Sequence, residues 1–349
     1  MFVADSNAAR AATASLPHPD PSNPWKQIVE PVEPFLEAVD RELAGQVAAF
    51  DAALAEYAEY ALTAGGKHLR PALVALSANA LGGTRPAHVT VATIIEMVHL
   101  ATLVHDDVMD EAQVRRGRLT LAAQWGNEIA VLFGDCLFAQ ALRLAASFPT
   151  PEICRAVAGA TNTVCAGEIL QTRHRFNFEL AAAEYFRVIE MKTAELFGLS
   201  CELAALLAEA APEQCAAMRH FGMRFGVAYQ IYDDCLDLFG LESVAGKSLG
   251  TDLVKGKMTL PLLQLRDCLN GAEQEQLRAC LADWQPEALP RIRRLLKEHD
   301  ALPPCRQAIA AQLEAARRAV DDLPGPGRNA LLQLAGYLAR QVDTLGAGN

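Results

Sequence analysis

The stretch VTVATIIEMVHLATLVHDDVMD, from Val89 to Asp110, is nearly all apolar and ends in a cluster of aspartates. A helix that is apolar on most of its sides is typical of a protein core. The stretch therefore predicts a buried central helix with acidic groups at its C-terminal end.

A second cluster repeats the spacing of the first, with carboxylates at positions i, i+1 and i+4. The clusters are Asp106, Asp107 and Asp110, and then Asp233, Asp234 and Asp237. On a helix the first and last carboxylates share a face, and the middle one lies about 100° away. Such groups repel one another and need cations when apolar residues surround them. Because Mg²⁺ prefers oxygen ligands and shares its coordination with phosphates, the clusters predict two walls of one cavity that holds a diphosphate through metal ions.

The composition favours a helical protein that does not bind nucleic acid. Of 349 residues, 51% are hydrophobic but only 6% are aromatic, and alanine and leucine dominate; this favours helix over sheet. The net charge of −11 argues against a nucleic-acid partner. The nine scattered cysteines are typical of reduced core residues in a cytoplasmic protein. We predict an all-α bundle with a central cavity, as a single domain over residues 26–349, after a disordered leader over residues 1–25.

Helical periodicity continues along most of the chain. Among the predicted helices are Val47–Leu62, Leu121–Ser147, Ala182–Glu209, Pro212–Phe239, Thr259–Leu269 and Glu287–His299, with none predicted between the last two. The Gly- and Lys-rich stretch Gly240–Met258 is predicted to be the one long internal loop.

Basic and polar residues occur where an anionic ligand would need them. Lys67 and Arg70 lie three apart at a helix start, where free backbone N–H groups also favour phosphate. His99 lies seven residues before Asp106 on the same helix face, and as an isolated residue it is equally compatible with a core histidine. The other candidates are Arg115, Arg116, Lys192, Thr193, Gln230, Lys247 and Lys257. The two loop lysines among them suit either solvent exposure or a lid that closes on phosphate.

Taken in order, these motifs resemble those of the trans-type isoprenyl diphosphate synthases. The resemblance covers roughly Gly65 to Leu263. It rests on Gly65–Pro71, Leu103–Asp110, Arg115–Gly117, Gly134-Asp135, Lys192-Thr193, Gln230–Asp237 and Gly256–Pro261. Two positions depart from the family pattern: His68 stands where arginine is common, and Met258 stands where proline is common.

The resemblance implies an all-α homodimer that binds three Mg²⁺ ions and joins isopentenyl diphosphate to an allylic diphosphate, head to tail. It implies that Mg²⁺ is bound by Asp106, Asp110 and Asp233, with further or supporting roles for Asp107, Asp234 and Asp237. It assigns the isopentenyl diphosphate to Lys67, Arg70, His99 and Arg116. It assigns the allylic diphosphate to Arg115, Lys192 and Lys257, assisted by Thr193, Gln230 and Lys247.

The residues before the first cluster bear on product length, since the growing chain must descend beside the helix that carries Asp106. Ala101 and Thr102 lie one turn below the metals and are small, and Val98 lies deeper on the same side. We therefore predict a medium- or long-chain all-trans product. Phe133 and Phe138 are both candidates for the tunnel floor.

The sequence is also compatible with other functions. A short-chain synthase making farnesyl or geranylgeranyl diphosphate would share the same motifs. A terpene cyclase or a head-to-head prenyl synthase can share the all-α fold and the Asp-rich metal sites, but a cyclase has no use for Lys67, Arg70 and Arg116 together. A non-catalytic subunit is expected to lose motif residues, and here they are all present. A long product also implies peripheral membrane contact at most.

Overall fold

The computed structural model describes residues 24–63, 65–240, 249–323 and 326–346. Of the predicted leader, only Pro24 and Trp25 fall within these ranges, and Lys247 lies outside them.

The described residues are predominantly helical and include only one short two-stranded hairpin, which confirms the all-α prediction. The helices are α1 (Pro24–Val29), α2 (Glu33–Gln46), α3 (Ala55–Leu62), α4 (Leu69–Ala80), α5 (Pro86–Met109), α6 (Leu121–Trp125), α7 (Asn127–Ala145), α8 (Glu152–Arg173), α9 (Ala182–Ile189), α10 (Glu195–Leu207), α11 (Pro212–Phe239), α12 (Thr251–Val254), α13 (Leu260–Cys268), α14 (Gly271–Ala282), α15 (Leu289–Glu298), α16 (Leu302–Ala319) and α17 (Pro326–Asp343). Short 3₁₀ turns cover Glu30–Val32, Val47–Ala49, Ala52–Leu54 and Pro286–Ala288. Strands β1 (Val114–Arg115) and β2 (Arg118–Leu119) pair antiparallel in a small hairpin.

Helix α5 is the central helix that its sequence predicts. It packs against α2, α4, α7 and α10, and Ile94, Ile95 and Met97 are fully buried. Among the described residues, α5 alone is long and apolar enough to cross a membrane, but most of its apolar window is buried inside the protein. The buried apolar side chains form one connected core that extends from Ile28 to Leu345.

The second long helix, α11, packs against α10 on one side and α16 on the other. Its predicted bounds, Pro212–Phe239, are those observed. Helices α5 and α11 therefore carry the two aspartate clusters at their C-terminal ends, and the surrounding bundle holds both in place.

Several sequence predictions about the helices were wrong. Val47–Leu62 is not one helix, because the chain is extended at Phe50 and Asp51 caps a new 3₁₀ turn by accepting a hydrogen bond from the Ala53 N–H at 2.8 Å. The predicted helix after Leu121 is interrupted at Gly126, whose φ of 90° is incompatible with a helix. Helix α14 was missed, although Asn270 and Glu273 form a capping box at its start.

Candidate active site

A cavity of about 1840 Å³ opens between the C-terminal ends of α5 and α11, helix α8 and the start of α4. Residues of both aspartate clusters line it, as the repeated spacing predicts. The other predicted site residues on its wall are Lys67, Arg70, His99, Arg115, Arg116, Lys192, Thr193, Gln230 and Lys257.

The first cluster divides between the cavity and the hairpin. Asp106 and Asp110, one turn apart, line the cavity. Asp107 is buried and points to the side, where its Oδ1 accepts a hydrogen bond of 2.7 Å from Arg115 Nε. This is the division that i, i+1, i+4 spacing imposes on a helix. The Asp107–Arg115 pair attaches the hairpin to the end of α5.

Cationic side chains surround the two cavity-facing carboxylates. Lys192 Nζ lies 3.5 Å from Asp106 Oδ2, and it also contacts Glu168 and donates to Gln171 Oε1 at 2.9 Å. On the other side, Arg175 Nη2 donates to Asp110 Oδ1 at 3.1 Å.

Lys257 reaches the same aspartate from the segment that follows α12. Its Nζ lies 4.0 Å from Asp110 Oδ2 and 3.2 Å from Asp252 Oδ1. These carboxylates raise the pKa of Lys257 well above its usual value against the effect of burial, so the lysine stays charged. The two ion pairs place a cation from the far side of the cavity beside the first cluster.

Lys192 and Thr193 lie in a π-helical turn, Glu190–Ala194, between α9 and α10. Such turns are rare and occur often at functional sites. The turn lies against Gly167 of α8, where a Cβ atom would come within 2.6 Å of the Lys192 backbone nitrogen. This close packing fixes the backbone from which Lys192 extends toward Asp106.

The second cluster divides differently. Asp233 and Asp234 line the cavity, and buried Asp234 accepts hydrogen bonds from Tyr185 Oη at 2.6 Å and Gln230 Nε2 at 2.8 Å. Thr193 Oγ1 in turn donates to Gln230 Oε1 at 2.7 Å. A chain of hydrogen bonds therefore joins the π turn to the second cluster.

Asp237 is fully buried and does not line the cavity. Its Oδ1 accepts from Thr251 Oγ1 at 3.1 Å and from the Thr251 N–H at 3.3 Å, and its Oδ2 accepts from the Asp252 N–H at 3.2 Å. The third aspartate of this cluster thus holds the first turn of α12, one turn farther along α11 than the cavity wall.

Burial makes at least one carboxylate in each cluster harder to ionise than a free aspartate. Burial raises the pKa of Asp106 to about 6, even though Lys192 opposes the shift. Burial and the nearby Asp252 raise the pKa of Asp234 to about 8. Both groups would release their protons more readily if a cation approached, because an opposite charge favours the ionised form.

The donor chemistry of these residues fits a divalent ion that is shared with a ligand. Within the described ranges, no three acidic, His or Cys side chains form a ready-made metal cage. Mg²⁺ is commonly bound by one or two carboxylates together with waters and substrate phosphates, and does not need a cage. Asp106, Asp110 and Asp233 offer oxygen donors of that kind on two facing walls.

A second group of basic residues lines the part of the cavity beside the start of α4, which we call its basic end. Lys67 and Arg70 flank the start of α4, and the Arg70 guanidinium lies 4.6 Å from the centroid of the Phe197 ring. Arg116 donates to the Gly65 carbonyl oxygen. His99 extends from α5, and burial together with Arg70 lowers its pKa to about 3, so its ring is neutral. We call Lys67, Arg70, His99 and Arg116 the basic cradle.

Of the three residues predicted to set product length, one lines the cavity and two do not. Thr102 lines the cavity, where its hydroxyl donates to the His99 carbonyl oxygen at 2.7 Å. Ala101 and Val98 are buried in the core and do not line it. Of the two phenylalanines that the sequence left unranked, Phe138 lines the cavity, while Phe133 packs against Phe50 and Tyr57 in the core.

Sequence reasoning missed several polar residues of this site. The cavity wall also includes His68, Glu96, Glu168, Gln171, Tyr185 and Asp252. Glu168 and Gln171 lie in the same helix on one face, three apart, which was a detectable signal. Tyr185 and Asp252 gave no local signal, since only the tertiary fold brings them to α11.

A model of the polyprenyl synthetase family matches residues 51–298 of the chain. The octaprenyl diphosphate synthase of Haemophilus influenzae is 33% identical over 315 residues, which cover 90% of this chain and 95% of that protein. The nonaprenyl diphosphate synthase of Mycobacterium tuberculosis is 39% identical over 280 residues, covering 78% and 82%. Component 2 of the Bacillus subtilis heptaprenyl diphosphate synthase is 34% identical, covering 88% of each.

Solved structures give the same result. A decaprenyl diphosphate synthase from Rhodobacter capsulatus superposes with a TM-score of 0.85 at 32% identity, covering 91% of this chain and 99% of that one. A polyprenyl synthase from Caulobacter crescentus, solved as a complex with calcium and isoprenyl diphosphate, also gives a TM-score of 0.85 at 32% identity, covering 93% and 100%.

Proposed function

The chain belongs to the polyprenyl synthetase family, and from that premise we propose that it condenses isopentenyl diphosphate with an allylic prenyl diphosphate, head to tail. The product is a medium- or long-chain all-trans polyprenyl diphosphate. The observation that carries the proposal is one cavity with an acidic end, formed by two aspartate clusters, and a separate basic cradle. A reaction between two diphosphates needs a separate binding site for each of them.

We assign the metal ions, three Mg²⁺ by the family resemblance, to Asp106, Asp110 and Asp233, with Asp107 and Asp234 supporting them. When bound, Mg²⁺ neutralises the charge that develops on the departing pyrophosphate. Asp237 contributes indirectly, by holding the start of α12 and hence the segment that carries Lys257.

The side chains perform the remaining work. Lys192, Lys257 and Arg115 bind the allylic diphosphate and stabilise the negative charge left when its C–O bond breaks. The basic cradle holds the isopentenyl diphosphate so that its double bond faces the allylic carbocation. The released pyrophosphate is the nearest base for the proton that leaves. The apolar wall below Asp106 excludes water that would quench the cation.

The cavity also bears on the alternatives. A terpene cyclase acts on one diphosphate and has no use for a basic cradle in the same cavity as the acidic end. A short-chain synthase needs a bulky side chain near Thr102 to close the tunnel, and Ala101 and Thr102 are both small. The relative from Bacillus subtilis is named as one component of a synthase, so the number of chains in the active enzyme needs its own test.

We propose that the enzyme is a cytoplasmic homodimer with at most peripheral membrane contact where a long product leaves. Leu132 on α7 is 62% exposed and, unlike the exposed Val131 and Ile169, does not line the cavity, so it is an apolar residue on the outer surface of α7. Replacing Leu132 with aspartate is expected to halve the mass in sedimentation equilibrium. Leu206→Asp, at an exposed residue of α10, is the matched control.

The proposed activity is tested by turnover of the pure protein with Mg²⁺, farnesyl diphosphate and isopentenyl diphosphate, followed by sizing of the product. Asp106→Ala is expected to reduce turnover at least about a hundredfold, because it removes one metal ligand and part of the charge stabilisation of the transition state. Asp267→Ala, at an exposed ion pair with Arg266, is the control and should retain full activity. Undiminished turnover by a folded Asp106→Ala protein contradicts the assignment.

A further inference from the structure

Glu96 is a buried carboxylate within the basic end of the cavity. It extends from α5 one turn before His99, and its side chain is 5% exposed. It contributes to the cavity wall near Arg70 and His99. A buried carboxylate beside an anion site repels the anion, so its presence there requires a compensating role.

The contacts of Glu96 lead to His68. Glu96 Oε1 lies 3.6 Å from His68 Nδ1, and Asp40 Oδ1 of α2 lies 3.2 Å from Nε2 of the same ring. The imidazole, with only 14% of the side chain exposed, therefore lies between two carboxylates at ion-pair distance, an arrangement that we call the clamp. The same carboxylates raise the pKa of His68 and favour its charged form, while the charged neighbours keep the pKa of Glu96 at about 2.

The backbone of His68 explains why a clamp is needed. His68 precedes α4 with φ 43° and ψ 45°, a left-handed conformation that residues other than glycine rarely adopt. Such a conformation persists where the surroundings hold it. The turn it creates separates Lys67 from Arg70, so the direction in which these two cradle residues point depends on His68 keeping that conformation.

We propose that Glu96 is a positioning residue for isopentenyl diphosphate, which acts through His68 to hold the turn that presents Lys67 and Arg70 to the diphosphate. This inference rests on the proposed function of the cradle. Removal of the charge of Glu96 would have two opposing effects on the binding of the diphosphate. Relief of repulsion would tighten diphosphate binding, whereas loss of the clamp would weaken it. If Glu96 is a positioning residue, loss of the clamp outweighs relief of repulsion, and the diphosphate binds more weakly.

The test is calorimetric titration of the full-length protein with isopentenyl diphosphate alone, so that no reaction occurs. Glu96→Gln keeps the shape of the side chain, and we expect roughly a tenfold rise in the Kd, which corresponds to about 1.4 kcal/mol. The KM for isopentenyl diphosphate should rise in parallel, and the KM for the allylic substrate should stay within about twofold, since the acidic end is untouched. Glu195→Gln removes another buried carboxylate, paired with Arg219 at 2.9 Å, and should change neither constant.

A double-mutant cycle tests the route through His68. His68→Gly removes the ring and also relieves the left-handed backbone, and Glu96→Gln should add nothing further to the Kd in that background. If the two substitutions raise the Kd independently, so that their fold-changes multiply, Glu96 does not act through His68. An unchanged or tighter Kd for folded Glu96→Gln overturns the inference, as does an equal rise in both KM values or a loss of thermal stability alone. Turnover by the wild-type protein is measured separately, and its absence would count against the proposed function instead.

Discussion

At the residue scale, two histidines of the basic end respond to their surroundings in opposite directions. Carboxylates at close range raise the pKa of His68, whereas burial and the arginines lower the pKa of His99 to about 3. His68 therefore stabilises the fold at pH values below its unfolded pKa and loses that contribution as the pH rises through its folded value. His99 behaves in the reverse sense, because its folded form resists protonation.

The first prediction concerns His99 and acid. Below an unfolded pKa of about 6.5, the unfolded chain binds a proton at this position that the folded chain does not bind. The free energy of unfolding should therefore fall as the pH drops from about 6.5 toward 3, by up to about 2 kcal/mol at pH 5 from this residue alone. In urea denaturation, the free energy of unfolding of His99→Gln should lack that part of the pH dependence. The curves of free energy against pH for the wild type and the variant should run parallel above pH 7.5. Parallel curves over the whole pH range would show that the folded protein binds a proton at His99 as readily as the unfolded chain does.

Individual aspartates show which part of the site was predictable. Helical spacing alone places Asp106 and Asp110 on one face and turns Asp107 aside, and the structure agrees. The same reasoning fails for Asp237, because the residues that use it, Thr251 and Asp252, come from a segment that folds back onto the end of α11. Local periodicity contains no information about such a return of the chain.

At the element scale, the π turn is a feature that helix propensity along the sequence does not predict. The sequence predicts a continuous helix over Ala182–Glu209, yet the structure inserts a wider turn at Glu190–Ala194. The insertion turns Lys192 toward the first cluster and Thr193 toward Gln230 of the second. It depends on contact with Gly167 of α8, which lies outside the helix concerned.

The second prediction uses two glycines of the same helix. Gly167→Ala places a methyl group within 2.6 Å of the Lys192 backbone nitrogen, so the π turn must shift and turnover should fall about tenfold or more. Gly159→Ala, with nothing within 4 Å of its added Cβ, is the matched control. It should leave turnover unchanged and stabilise the protein by about 0.5–1 kcal/mol, the helix preference of alanine over glycine. Equal kinetics for the two variants would show that the turn does not position Lys192.

The third prediction concerns the attachment of α12. Asp237→Ala removes three hydrogen bonds at the first turn of this helix. Loss of a helix cap typically costs about 1–2 kcal/mol, so local opening of Thr251–Val254 should become roughly ten times more frequent. Hydrogen exchange at these amides measures it, with α15 as the internal reference. Unchanged exchange combined with a raised Mg²⁺ requirement would instead indicate that Asp237 acts on the metal.

At the scale of the whole molecule, the bundle and its cavity follow from the two long helices that the sequence identifies. Buried α5 and α11 carry the clusters, and one connected core from Ile28 to Leu345 holds them face to face. The depth of the cavity did not follow from the sequence. Ala101, Thr102 and Val98 share one apolar stretch of α5, and only the packing of neighbouring helices shows that Thr102 alone of the three lines the space.

The last prediction concerns product length, which is a property of the whole cavity. The growing chain must pass Thr102, since this residue lines the wall one turn before Asp106. Thr102→Phe narrows the passage at that level, and the product should shorten toward farnesyl or geranylgeranyl diphosphate without loss of the first condensation. Phe138 lines the same space from α7 and lies 5.7 Å from His105 between ring centroids, so Phe138→Ala should lengthen the product.

The matched control is Phe133→Ala. Phe133 is 2% exposed and packs in the core, so this truncation should lower stability by about 3–5 kcal/mol and leave the product length unchanged. Chromatographic sizing of the dephosphorylated products distinguishes these outcomes. If Thr102→Phe and the wild type make the same distribution, the chain leaves the active site by another path, and the apolar space beside α5 is not the tunnel.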